Sequence, residues 1–462
     1  MKCESNMVID RVVKNDYCVG CGSCASIPNS SYTMVFEDEK YIPKYQSSEI
    51  SVICPDKVCP FSNSIRNENQ IAQALFQSIS QIQSDPFIGY YLKNFAGHVK
   101  IGKFREAGSS GGMGTWLATK LLEKKMVTKV IHVKPNQQLN GDVMFNYQIS
   151  TSVSEIMDGT KSRYFPVEIS QVIKSMRENP GSYAFIGVPC FVKAIRLIAS
   201  EDILIASRLK YTIGLVCGHM KTGSFVKSMA WQMGINPKDL RKFDFRVKIE
   251  GRKSSQYGVE AVGIIDGKEV KIQAPTSSLF TTNWGNGFFK LNACDYCDDV
   301  LAETADITIG DAWLPEYVND SLGTNIITIR HPDLLNLLEE SKDELNLIEL
   351  SPKKIYESQA GGFRHRRQGL SYRLYLKDQN QQWRPEKRFP ASNHISAKRK
   401  RIYEKRLLIT KESHESFRAA LEFNDFETFK AHMRPFILDY EKLLKRRLVV
   451  KAFEKIKKYF SD

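Results

Sequence analysis

The 462 residues contain no uninterrupted apolar run approaching the roughly 18 residues of a membrane span. Nor does the opening segment, Met1–Met7, hold an apolar stretch resembling a signal peptide. Together these absences predict a soluble, cytoplasmic protein. Internal repeats are missing, and no nucleic-acid recognition motif accompanies the basic residues, which argues against a nucleic-acid partner. Acidic residues are outnumbered, 52 against 66 Lys and Arg, giving a net charge of +14. That excess is local: residues 351–462 hold 28 Lys and Arg against 13 Asp and Glu, so the rest of the chain is close to neutral.

Cysteine is what the chain does have. In a reducing compartment its ten cysteines read as metal ligands before disulfides. Cys18, Cys21 and Cys24 follow each other at two-residue gaps, with a Cys-Pro pair further on. Thiolate sulfur is soft and selects iron–sulfur clusters, zinc or copper(I). Three cysteines in series followed by a distant Cys-Pro is the opening of a bacterial ferredoxin motif, whose tight loop wraps one 4Fe–4S cube. Gly20 and Gly22 between the ligands suit a loop that comes close to a cluster and visits positive φ. The fourth ligand comes from Cys59 or Cys54, both followed by proline; Cys59 is preferred. A zinc site is the competing reading, but four-cysteine zinc sites usually pair two Cys-x2-Cys knuckles. Cys3, in the N-terminal tail, is left out.

The organisation follows from composition and periodicity. Residues 1–65 form a ferredoxin-like 4Fe–4S segment with a strand at Tyr32–Glu37. Residues 66–95 suggest a helical connection through Ile71, Ala74, Leu75, Ile79 and Ile82. A strand at Gly97–Ile101, a helix over Met113–Lys125 and a strand at Lys129–Val133 come next. Tyr183–Gly187 and Tyr211–Val216 are further strands, each followed by a helical stretch, implying a mostly parallel core. Asp266-Gly267 predicts a hairpin between Gly258–Ile265 and Lys268–Gln273. The fold expected is α/β: the ferredoxin-like segment, a mixed α/β core, and a basic helical region over 351–462.

Two further constellations carry chemistry. Cys190 and Cys217 each follow a predicted strand, at the sheet edge where cofactors gather, and Cys294-x2-Cys297 would complete a second set of four. A small buried hydrophobe is the alternative role for an isolated cysteine. Gly108-Ser109-Ser110-Gly111-Gly112 lies between a strand and a helix, where backbone amides and hydroxyls suit a phosphate. This turn lacks both the dinucleotide Gly-x-Gly-x-x-Gly and the Gly-Lys-Ser/Thr phosphate loop. Lys161, Ser162, Arg163 and Tyr164 offer cations and an aromatic ring beside a phosphate and a ring system.

Ser109-Ser110-Gly111-Gly112, Ser162-Arg163-Tyr164, Gly187-Val188-Pro189-Cys190, Leu215-Val216-Cys217-Gly218, Cys294-Asp295-Tyr296-Cys297 and Ala305–Asp311 occur in that order. The series resembles the beta subunit of coenzyme F420 hydrogenase/dehydrogenase over roughly residues 14–330. The resemblance implies an FAD-containing oxidoreductase subunit with two 4Fe–4S clusters, its mixed α/β core a flavin-binding one with an N-terminal part over 66–175 and a C-terminal part over 176–350. It makes Cys190, Cys217, Cys294 and Cys297 the ligands of the second, beside Cys18, Cys21, Cys24 and Cys59 for the first. Ser109, Ser110, Gly111, Gly112, Lys161, Ser162, Arg163 and Tyr164 become the FAD-binding candidates. Cys59-Pro60-Phe61-Ser62 also resembles a bacterial branch found near surface-polysaccharide genes.

On this reading the clusters pass single electrons between a ferredoxin-like partner and the flavin, which acts on a small molecule. An electron-transfer subunit feeding a separate enzyme is the other reading. His219 is a candidate proton donor, with a structural hydrogen bond as its alternative. Lys398–Arg401 and Lys445-Arg446-Arg447 with Lys451, Lys455, Lys457 and Lys458 suggest a peripheral contact with an anionic membrane surface, an acidic electron-donor protein, or a solvated helical face.

Overall fold

The structure, a computed structural model, describes residues 8–46, 51–63, 65–137 and 142–459, with backbone only for residues 9 and 445–459. Its centre is an eight-stranded sheet. In chain order the strands are β1 (Lys93–Val99), β2 (Lys129–Pro135), β3 (Phe145–Ser150) and β4 (Tyr183–Gly187). Then come β5 (Leu209–Leu215), β6 (Ile307–Asp311), β7 (Asn325–Ile329) and β8 (Leu345–Glu349). Across the sheet they run β8-β1-β7-β6-β5-β4-β2-β3.

Only β6/β5, β5/β4 and β4/β2 pair in parallel, and the remaining neighbours are antiparallel. The mostly parallel core expected from the strand–helix alternation is therefore corrected to a mixed sheet with a parallel centre. The physical reason is connection type. Helices cross over between β4 and β5, whereas β2–β3 and β6–β7 return directly and pair antiparallel with their predecessors. The sheet takes strands from both 66–175 and 176–350, so these two stretches build one layer.

Helices cover both faces. Ala184 of β4 packs with Trp116, Leu117 and Leu121 of helix α1 (Met113–Glu123). Its neighbours Tyr183 and Phe185 point the other way, into the cluster holding Phe191 and Ile195 of α2 (Pro189–Glu201). The helix in the 66–95 stretch is confined to Glu68–Phe76, opened by an Asn67/Gln70 capping box. Ile79 and Ile82 fall in the turn that leads to a hairpin, Gln83–Asp85 with Gly89–Tyr91. The Asp266-Gly267 hairpin forms as expected, with φ of +50° and +75° at its two turn residues.

The C-terminal region is helical, ending in α3 (Ala397–Phe423) and α4 (Phe426–Tyr459). Phe417 and Phe429 of these helices pack on Phe289, tying the pair to the body. Among the described residues no helix is long and apolar enough to cross a membrane. Cys3 and the side chains of the 445–458 lysines and arginines lie outside the described residues.

Candidate functional site

The first four thiols meet on short local structure. Cys18 and Cys21 sit in the loop before a single helical turn, Ser23–Ser26, which carries Cys24, and Cys59 closes the turn Pro55–Val58. Gly20 and Gly22 take φ of +70° and +81°, and a Cβ at Gly20 would stand 2.6 Å from the Tyr41 carbonyl oxygen. Only glycine allows that combination. Cys24 lies close enough to Cys59, Cys21 and Cys18 that ionising any of them opposes ionising the next. The Gly20 amide already donates to Cys18 Sγ at 3.3 Å. Burial pushes the Cys18 thiol up to about 12. Cys54 is disulfide-bonded, which removes it as the alternative fourth thiol.

The second four are brought together by the sheet. Cys190 opens α2 directly after β4, and Cys217 lies just past the end of β5. Cys294 belongs to the 3-10 turn Asn292–Tyr296, which Cys297 follows. Cys190 senses Cys297, Cys217 and Cys294 electrostatically. The Met220 amide donates to Cys294 Sγ at 3.2 Å. Burial raises Cys217 to about 11 and Cys294 to about 12. Cys190 also senses Cys21 of the first set, and buried Tyr147 feels both, so the two sets adjoin.

Among the described residues no three His, Cys, Asp or Glu side chains converge closely enough to hold one metal ion. Four thiols in each set, soft donors only, are the donor chemistry that an iron–sulfur cluster takes.

Beside the second set opens a cavity of about 720 Å³. Cys217 and His219 line it, as do Ser109, Ser110, Gly112, Lys161, Ser162, Arg163 and Tyr164. Gly111 does not: it packs under the turn, where a Cβ would stand 2.7 Å from Asn325 Oδ1 and 2.8 Å from the Gly97 oxygen. Gly112 caps α1 at φ +83°. Ser109 Oγ accepts from the Ser162 amide at 2.7 Å, locking the two expected binding segments together.

The cations are arranged differently from the sequence expectation. Lys161 and Arg163 are both tied to Asp244, which their charges hold below the usual carboxylate range despite its burial. Arg246 and Lys248 reach the glycine-serine turn instead. Arg246 donates to the Ser109 oxygen at 3.1 Å and pairs with Asp311, while Lys248 donates to the Ser110 oxygen at 3.2 Å. Arg246 is only 2% exposed because a register shift between Asp244 and Val247 turns it inward at φ +56°. Nothing in a strand-like run of residues signals such a bulge, so sequence reasoning missed it. Burial among Arg105 and Arg246 lowers Lys248 to about 8.

Further along the cavity, Trp284 stands between Tyr164 and His219, at centroid distances of 4.9 and 4.5 Å. His219 Nε2 has no hydrogen-bond partner, so the alternative structural bond for that atom is not formed. Burial and the nearby cations Lys221 and Lys290 keep its imidazole neutral. Lys221 lies under Trp284 and Phe225 and donates to the Phe288 oxygen. The lining thus combines an aromatic shelf, a glycine-serine turn and several cations, within the size range of cofactor pockets.

The description of the coenzyme F420 hydrogenase/dehydrogenase beta subunit matches in two parts, its N-terminal part over residues 94–174 and its C-terminal part over residues 181–354. The chain therefore belongs to the coenzyme F420 hydrogenase/dehydrogenase beta subunit family, an oxidoreductase family. Among solved structures it is similar to a chain of the F420-reducing [NiFe] hydrogenase complex from Methanosarcina barkeri, at 14% identity and a TM-score of 0.47. That similarity covers 68% of this chain and 100% of the other. No curated protein sequence matches the chain.

Proposed function

We propose that the protein is an iron–sulfur flavoprotein oxidoreductase that moves electrons between a redox-protein partner and a small molecule. The observation that carries this reading is the second thiol set opening, through Cys217, onto the cavity that holds the glycine-serine turn. Cys18, Cys21, Cys24 and Cys59 would hold one 4Fe–4S cluster, and Cys190, Cys217, Cys294 and Cys297 another. Bound FAD would supply two-electron chemistry toward the substrate and one-electron chemistry toward the clusters.

The chain's own residues supply the rest. Ser109, Ser110, Gly112 and Ser162, with Arg246 and Lys248 behind them, suit a diphosphate at the N-terminus of α1. Tyr164 and Trp284 offer faces for a ring. His219, with Nε2 free, offers a hydrogen bond to a bound group. The volume of the cavity favours an enzyme over a subunit that only passes electrons. A surface-polysaccharide intermediate as substrate rests on the Cys59-Pro60-Phe61-Ser62 resemblance alone.

Anaerobic reconstitution tests the reading. Two clusters would give about eight iron and eight sulfide per chain, with one flavin seen in absorbance. Zinc without iron, or no flavin, would sink it.

A further inference from the structure

Three arginines from the C-terminal region, beyond the residues that match the family, set their side chains against the Cys294–Cys297 loop and its surroundings. Arg373 is 1% exposed, donates to the Asp295 oxygen at 2.7 Å and lies 3.6 Å from the Asp295 carboxylate. Arg388 is held by Glu303 at 2.7 Å and by Asp298 at 3.4 Å. Each of these therefore answers a buried carboxylate.

Arg366 does not. It is 1% exposed and forms no ion pair with Asp or Glu among the described residues. Its Nη2 donates to the Gly218 oxygen at 2.7 Å, while Nε and Nη1 complete no hydrogen bond. The charges it faces are sulfur: Cys297, Cys217 and Cys294. Its approach to Cys297 lacks a complete hydrogen bond's geometry, so the interaction is chiefly electrostatic. A buried guanidinium without a carboxylate is costly unless negative charge stands beside it, and here that charge has to reside on the thiolates and the group they bind.

Among the described residues the first set has no such cation. Lys40, whose charge Cys18 senses, is paired with Asp16 at 3.0 Å, and the carboxyl of Glu168 stands near Cys21.

We propose that Arg366 is a positioning charge that raises the reduction potential of the second cluster above that of the first, so that electrons run from the Cys18 set toward the cavity. Uptake of one electron adds one negative charge to a thiolate-bound cluster and moves no atoms. A fixed positive charge and N–H donors beside the sulfurs favour the reduced form. The inference rests on the two-cluster reading above.

The test is a potentiometric titration of the reconstituted holoprotein, followed by the paramagnetic signal of each reduced cluster. Cys24→Ser, lacking the first cluster, assigns the signals. In the wild type the second cluster is expected at the higher potential. Arg366→Gln should weaken its one-electron uptake at least tenfold, a fall of about 59 mV, and leave the first cluster unmoved; Arg366→Lys should fall less. Unchanged potentials in Arg366→Gln, or a wild-type order with the first cluster higher, would overturn the proposal. Should Arg366→Gln fail to retain its second cluster, the wild-type order decides alone. A wild type holding fewer than two clusters defeats the earlier reading itself, and iron analysis reveals that before any titration.

Discussion

Cys18, Cys21, Cys24 and Cys59 are gathered by one loop and two single helical turns, whereas Cys190, Cys217, Cys294 and Cys297 are gathered by a sheet. The first set needs only glycines at Gly20 and Gly22 to fold the loop inward. The second needs β4 and β5 in parallel register, a 3-10 turn far along the chain, and the C-terminal region to brace that turn. Lys290 and Arg373 hold Asp295 between its two cysteines, and Tyr296 packs edge-on against Tyr17 of the first segment at 4.8 Å. A local site tolerates changes elsewhere; a site assembled by the fold inherits every weakness of the fold.

Serine substitutions break this contrast most directly. Cys24→Ser should remove about four of about eight irons and leave flavin binding intact. Cys217→Ser should remove the same amount and disturb the flavin as well, since Cys217 lines the cavity. Equal flavin content in both variants would sever the second set from the cavity. Next in size is Lys290→Met. It removes the nearer of the two cations that hold Asp295, which is 1% exposed and 2.6 Å from the lysine nitrogen; breaking such a buried pair costs up to about 3–5 kcal/mol, less here because Arg373 remains. Urea unfolding should record that loss. Iron analysis should find the second cluster depleted before the first.

How much of each site could be read from sequence follows from the same difference. The first set was legible because its geometry is written in adjacent residues: two-residue gaps, two glycines, a Cys-Pro. The glycine-serine turn and α1 were legible for the same reason. In the second set only the strand-end positions of Cys190 and Cys217 could be read, and resemblance alone joined them to Cys294 and Cys297. Arg246 was invisible because a bulge in a distant strand aims it, and Arg366 because its role depends on a packing partner far away in the chain. Lys161 and Arg163 line the cavity as cations, but the Asp244 that engages both is a tertiary contact that no local pattern encodes. The mixed sheet was missed because strand direction is set by how each connection returns, not by the strand's own residues.

Glycine substitutions sharpen the contrast at smaller cost. Gly20→Ala and Gly112→Ala each force a Cβ at positive φ, within 2.6 Å of the Tyr41 oxygen and 2.7 Å of the Phe104 carbonyl respectively. Each should destabilise by about 1–3 kcal/mol. The first should lower iron with flavin unchanged, and the second should do the reverse; thermal unfolding together with cofactor content checks both.

Acid separates the regions most gently. No histidine occurs among residues 1–65. His132 of β2 lines the cavity and is 4% exposed, and burial beside Lys134 lowers its pKa from 6.5 to about 4. Between those values the unfolded chain binds a proton that the folded one refuses. Stability therefore falls as pH drops through this window, by up to about 1 kcal/mol per unit, and is unaffected by this group above it. Glu168, near Cys21, has the opposite sign: desolvation raises its carboxyl, so what it contributes is present at low pH and lost as pH rises. His132→Gln should flatten the fall between pH 6.5 and 4 in an unfolding series, whereas Glu168→Gln, which removes a loss of opposite sign that begins at the ordinary carboxyl value of 4.5, should steepen it. A slope unchanged in His132→Gln would mean that acid acts on the cavity through some other group.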